Sequence, residues 1–267
     1  MLMAIGYIGA LLMGLTLGLI GGGGSILSVP IFVYLFAIQP SLATAYSLFV
    51  VGLSSLIGAF GYAKQKLINY QTGILFAAPS FVGVFVVRKW VMPIIPEQIF
   101  EIGTWVLNKN MLIMLVFAVL MVVASVSMIR PSKKQNEKAN LSPGMRYFII
   151  GLEGLVVGSI TGFVGAGGGF LIIPALVILT GLPMKQAVGT SLAIIAVKSL
   201  FGFLGDLRPD QVIDWQFLMQ FSLVAIVGIL IGQTLNKKVP EQKLKPAFGY
   251  FVLVMGTFIL IQQLMKS

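Results

Sequence analysis

The chain has 267 residues, 58% of them hydrophobic and only 10% charged, with a mean hydropathy of +1.00. A soluble domain would carry about 25% charged residues, and residues 1–63 hold no charged side chain at all, so the economical solvent is a bilayer. Cysteine and histidine are both absent, which excludes disulfides, thiolate metal sites, Cys nucleophiles and the usual general base.

Eight apolar runs follow one another along the chain. The first, 3–37, lacks a basic leader and continues far past the length of a signal peptide, so it reads as part of the mature protein. It is too long for one helix of ordinary tilt. In its middle stands Gly21-Gly22-Gly23-Gly24-Ser25-Ile26-Leu27-Ser28-Val29-Pro30. Glycine costs ~1 kcal/mol per residue inside a helix, so four together predict a break into two shorter helices. The second run, 42–63, opens with Thr44-Ala45-Tyr46-Ser47 and is followed by Lys64 and Lys66. The third, 71–91, follows Asn69-Tyr70 and carries Arg88 and Lys89 near its end; the fourth is 111–129. A polar stretch at 130–145, rich in Lys, Asn, Ser and Pro, reads as a cytoplasmic linker. The fifth run, 146–181, is again too long and contains Gly165-Ala166-Gly167-Gly168-Gly169-Phe170-Leu171-Ile172-Ile173-Pro174. The sixth, 186–205, opens with Val188-Gly189-Thr190-Ser191; the seventh, 214–235, begins at Asp214-Trp215, and the eighth is 247–264.

The two glycine segments end in prolines at an offset of 174 − 30 = 144. Without gaps from Gly14/Gly158 to Gly61/Gly205, this offset yields about 16 identities over roughly 48 positions, the mark of an internal repeat. The expected architecture is an all-α integral membrane protein made of two transmembrane repeats, 1–129 and 146–267, joined by the linker 130–145. The basic residues choose the topology. If the first and fifth runs each enter and return, Lys64/Lys66, the 130–146 cluster and Lys237, Lys238, Lys243 and Lys245 share one face. The loop with Asp206, Asp210 and Asp214 against Arg208 then lies on the other. Each half makes an odd number of net crossings, so the repeats are inverted. Arg88 and Lys89 fall on the wrong side of this scheme. The net charge of +10 is thereby a positive-inside pattern and not a nucleic-acid footprint.

Neither glycine run is followed by the Lys-Ser/Thr of a phosphate loop, so no nucleotide site is expected. Gly14, Gly18 and Gly22, with Gly158, Gly162 and Ala166, have the spacing of close helix packing. The contiguous glycines suit a different purpose. At Gly22, Gly23, Gly24 and Ser25, and at Gly167, Gly168 and Gly169, freed backbone N–H groups and a positive helix end would face a small anion at mid-membrane. Thr44, Ser47, Thr190 and Ser191 stand at equivalent places beside the breaks. They read either as hydroxyl donors to that anion or as groups bonded to their own and neighbouring helices. Two ionisable residues inside runs lack a counterpart: Lys198 aligns with Ser54, and Glu153 with Gly9. Intramembrane charge is expensive, so Lys198 is expected to bind substrate and Glu153 to couple a proton, with snorkelling and a structural hydrogen bond as the alternatives.

The paired glycine runs ending in proline, Ala187-Val188-Gly189-Thr190-Ser191 and Ile213-Asp214-Trp215 resemble the sulfite exporter TauE/SafE family of membrane transporters, over essentially residues 5–264. The first half departs from the pattern with Thr44-Ala45-Tyr46-Ser47 and Asn69-Tyr70. The resemblance implies a permease of the bacterial or archaeal plasma membrane, the cell inner membrane. Its substrates would be small sulfur-containing anions such as sulfite or organosulfonates. The resulting expectation is a secondary transporter, an exporter working by alternating access, with no cofactor, no metal and no catalytic residue. Its partners would be the anion, the lipid bilayer and a coupling proton. The alternatives are a passive anion channel and a non-transporting membrane assembly subunit. An intramembrane enzyme lacks a plausible acid–base pair here.

Overall fold

A computed structural model describes residues 2–102, 105–129, 143–165, 167–207, 213–236 and 241–265. The first half comprises α1 (Leu2–Ile20), α2 (Gly22–Leu35), α3 (Pro40–Lys64), α4 (Tyr70–Ile94), strands β1 (Gln98–Ile102) and β2 (Trp105–Asn108), and α5 (Lys109–Ile129). The second half comprises α6 (Pro143–Val164), α7 (Gly169–Thr180), α8 (Met184–Leu204), α9 (Trp215–Asn236) and α10 (Glu241–Met265). Among the described residues, α1, α3, α4, α5, α6, α8 and α9 are long and apolar enough to cross a membrane. The chain is an all-α integral membrane protein whose one departure among the described residues is the antiparallel β1–β2 ribbon. That ribbon lies in a connection that the helical reading passed over, where the β-branched and aromatic residues Ile99, Phe100, Ile102, Trp105 and Val106 favour paired strands.

Local chemistry sets the helix starts. Pro40 occupies the first turn of α3, where its missing N–H costs nothing. Asn69 Oδ1 accepts the Thr72 N–H at 3.0 Å, and Asp214 Oδ1 accepts the Phe217 N–H at 3.0 Å. The Asn-Tyr and Asp-Trp pairs are therefore the N-caps of α4 and α9.

α1 packs along α9 and α4 along α6; α3 crosses α8, α5 lies on α10, and α2 meets α7. Exchanging the two halves turns the α1–α9 pairing into the α6–α4 pairing and leaves the other three unchanged. Small residues make these approaches possible. Gly14 and Gly18 sit against the backbone at Ala225 and Ile229, while Gly158 and Gly162 sit against Ser80 and Val84. Both pairs of helices consequently run parallel, and these outer glycines are packing residues. The equivalent helices α3 and α8 run antiparallel, with Gly52 opposite Leu200 and Tyr62 opposite Gly189. α2 folds back along α1, bringing Gly24 beside Met13 and Leu17, and Ile31 beside Gly9. The first long run thus enters and returns.

α3 and α8 form the centre, each with 72% of its spanning window buried, against 39% for α9. Rings of Tyr7, Phe32, Phe36, Tyr46, Phe217 and Phe221 interlock at one end of α1, α2, α3 and α9. The nearest pairs are Phe32–Phe221 at 4.6 Å and Phe36–Phe217 at 4.8 Å. Most of the predicted linker 130–145 lies outside the described residues, as do Arg208, Asp210, Lys237 and Lys238.

Candidate functional site

Both breaks turn on glycines in the left-handed region, where a side chain would be strained. Gly21 has φ 76° and, in the second half, Gly165, Gly167 and Gly168 have φ 76°, 64° and 65°. The halves then differ. Gly22, Gly23, Gly24 and Ser25 are not an open loop, because the chain resumes at Gly22 as a tight 3₁₀ helix. In the second half, Gly165, Gly167 and Gly168 stand outside any helix, and α7 begins at Gly169. Backbone contact explains the need for bare Cα atoms: Gly22 and Gly169 abut each other, one from each break, with Ile195 beside both. Gly22, Gly23, Gly24, Gly167, Gly168 and Gly169 are all buried.

The hydroxyls tie the breaks together. Ser25 Oγ donates to Gly22 O at 2.6 Å, and Ser28 Oγ reaches Ser25 O at 2.6 Å and Ser47 Oγ at 2.5 Å. Ser47 Oγ also reaches the carbonyl of Gly165 at 2.5 Å. Ser28 and Ser47 have two hydroxyl protons for three such contacts, so the chain can be rewired by rotating hydroxyls without moving a helix. Thr190 Oγ1 accepts the Asn69 N–H at 2.9 Å; at the mirrored place, Tyr46 OH accepts the Asp214 N–H at 2.7 Å. Ser191 Oγ donates to its own helix at Val188 O, 2.8 Å away, next to Gly21. Thr190 and Ser191 therefore carry structural bonds in this conformation.

Thr44 belongs to an ionic cluster that the sequence reading missed. Arg88 NH1 donates to Thr44 Oγ1 at 3.0 Å and to Asp206 Oδ2 at 3.0 Å. Arg88 is 1% exposed and Asp206 7%. Arg88 is thus no snorkelling exception to the charge pattern; it faces inward, against Gly205 and the Thr44 that packs on Gly165. At the mirrored place in the other half, Gln233 Nε2 donates to Gly58 O at 2.5 Å and Tyr62 OH to Gly18 O at 3.3 Å. One end of the bundle is ionic and the other neutral.

Lys198 is fully buried on α8, and its ammonium donates to Thr161 Oγ1 at 2.9 Å. A Cβ placed on Gly168 would stand 2.8 Å from Lys198 Nζ, so the cation lies against the second glycine break. Among the described residues no carboxylate pairs with it. Glu153 is half-buried on α6, eight residues before Thr161, and its Oε2 has no hydrogen-bond partner. The fold does not bring Glu153 and Lys198 together as an ion pair. Ser28, Thr161, Arg88 and Asp206 join the site only through the fold. Arg88 did carry a sequence signal, a charge misplaced for its loop.

The family model described as sulfite exporter TauE/SafE matches residues 7–259. A probable membrane transporter protein of Xylella fastidiosa is 28% identical over 257 residues, covering 93% of this chain and 91% of that protein. The probable membrane transporter protein MJ0441 of Methanocaldococcus jannaschii is 27% identical, covering 98% and 95%, and YunE of Bacillus subtilis is 25% identical, covering 92% and 93%. No solved structure matches. A match spanning nearly the whole length, both glycine breaks included, places this chain in the sulfite exporter TauE/SafE family of membrane transporters.

Proposed function

We propose that the protein is a secondary transporter that exports small sulfur-containing oxyanions, sulfite or organosulfonates, from the cytoplasm by alternating access between two inverted repeats. The observation that carries this reading is Lys198, a buried ammonium beside an unwound glycine break, whose acceptor among the described residues is the neutral hydroxyl of Thr161. A buried charge without a carboxylate needs an anion, and the substrate supplies it. The antiparallel crossing of α3 and α8 and the parallel α1–α9 and α4–α6 pairs support inversion, because equivalent helices then point in opposite directions. With the basic loops inside, the aromatic cluster and the Arg88–Asp206 pair lie toward the outer face, and their neutral counterparts toward the cytoplasm. A barrier that is heavier outside favours a resting state loaded from the cytoplasm, as export requires.

In this reading Thr44, Ser47, Thr190 and Ser191 exchange their structural bonds for the anion when the breaks separate, joined by the N–H groups of the two glycine runs. Glu153 accepts the coupling proton. The test is transport of labelled sulfite and sulfonates in proteoliposomes, with Lys198→Met as the variant. Affinity should fall at least about tenfold, equivalent to ~1.4 kcal/mol, and Lys198→Arg should restore part of it. Unchanged affinity in Lys198→Met would end the reading. Downhill flux that no proton gradient can drive uphill would favour a channel.

A further inference from the structure

The layer around Lys198 holds more polar groups than the glycine-break reading uses. Ser54, Ser55, Ser80 and Ser199 are each 0% exposed, and the hydroxyl of each lacks a hydrogen-bond partner. Buried hydroxyls are normally paired, and four orphans in one protein require a cause. Their helices bring them to one level. On the antiparallel α3–α8 crossing, Gly52 opposite Leu200 puts Ser54 and Ser55 within a turn of Lys198 and Ser199. α4 and α8 run parallel, with Gly73 beside Thr190 and Phe81 stacked 5.1 Å from Phe201, so Ser80 falls level with Lys198. Ser80 also packs on Gly158, one turn from the Thr161 that binds the ammonium. The mirrored places of Thr161 and Ser80 are Leu17 and Ala225, so these two polar places on the α4–α6 side have apolar counterparts on the α1–α9 side.

Resting on the transport reading above, we propose that Ser55, Ser80 and Ser199 form, with Lys198, an oxyanion subsite that selects singly charged over doubly charged anions. The hydroxyls donate to oxygens without adding charge. The ammonium supplies one positive charge, so a sulfonate or hydrogensulfite is neutralised, whereas a dianion carries an uncompensated negative charge into the bundle. Ser55 shares its face of α3 with Tyr62, which lies opposite Gly189 of α8, whereas Ser54 shares its face with Gly58, which meets Ile229 of α9.

Methanesulfonate and sulfate separate charge from shape, since both present oxygens on sulfur and keep their charges at neutral pH. Calorimetric titration of the purified protein in detergent should give a methanesulfonate Kd lower than that of sulfate by at least about tenfold. Ser199→Ala, once checked to melt like the wild type, should weaken methanesulfonate binding by about threefold or more. Ser55→Lys, which adds a second charge to the layer, should reverse the preference toward sulfate. Equal or tighter sulfate binding by the wild type, with binding lost in Lys198→Met, overturns the charge selection and leaves the Lys198 site standing. Wild-type methanesulfonate affinity in Lys198→Met overturns that site and the selection with it.

Discussion

Asp206→Asn is the sharpest test of how the ionic end of the bundle works. The substitution keeps the volume and removes the charge 3.0 Å from the Arg88 guanidinium, at a site where Arg88 is 1% exposed. Breaking a buried pair by removing one partner costs about 3–5 kcal/mol, because the remaining charge stays desolvated. Thr44 Oγ1, also 3.0 Å from Arg88 NH1, keeps one bond in place, so the expected loss is about 3 kcal/mol, the low end of that range. Replacing both members, Arg88→Met with Asp206→Leu, removes the desolvated charge together with its partner and should be near neutral in stability. The assay is a double-mutant cycle on unfolding in mild detergent, with transport measured on the same proteins. The coupling should exceed about 2 kcal/mol, and the double variant should recover stability while leaking substrate through a loosened outer barrier. A loss below about 1 kcal/mol for Asp206→Asn would show the pair to be as weak as a surface contact. The barrier role would fall with it.

Two further outcomes follow from the same geometry. Gly167 has φ 64°, and a Cβ there would stand 2.6 Å from Val51 Cγ1, so Gly167→Leu should abolish transport while insertion persists; normal flux by a well-expressed variant would contradict this. In a chain without native cysteine, single cysteines at positions 135 and 240 should react with an impermeant reagent from the same face, and labelling from opposite faces would end the inverted arrangement.

Membrane location, eight apolar runs, the two places where a run must break and the 144-residue repeat were all legible in the sequence. Each rests on local composition or spacing, and a bilayer enforces those directly by demanding apolar faces and satisfied backbone. The polar caps Asn69 and Asp214 were visible as a repeated pair, although their capping role needed the helix ends to be placed. Lys198 could be singled out because a charge in an apolar run is costly wherever the chain goes. Its partner Thr161, 37 residues away on another helix, could not. Arg88 and Asp206 lie 118 residues apart, as do Ser47 and Gly165. Such pairs arise only from how helices cross. The crossings are chosen by bare glycine surfaces meeting backbone, Gly22 on Gly169 and Gly14 on Ala225, a complementarity that belongs to two distant segments at once. The tertiary structure therefore decided which polar groups share the centre, and that one end of the bundle packs around charge and rings while the other is held by neutral bonds.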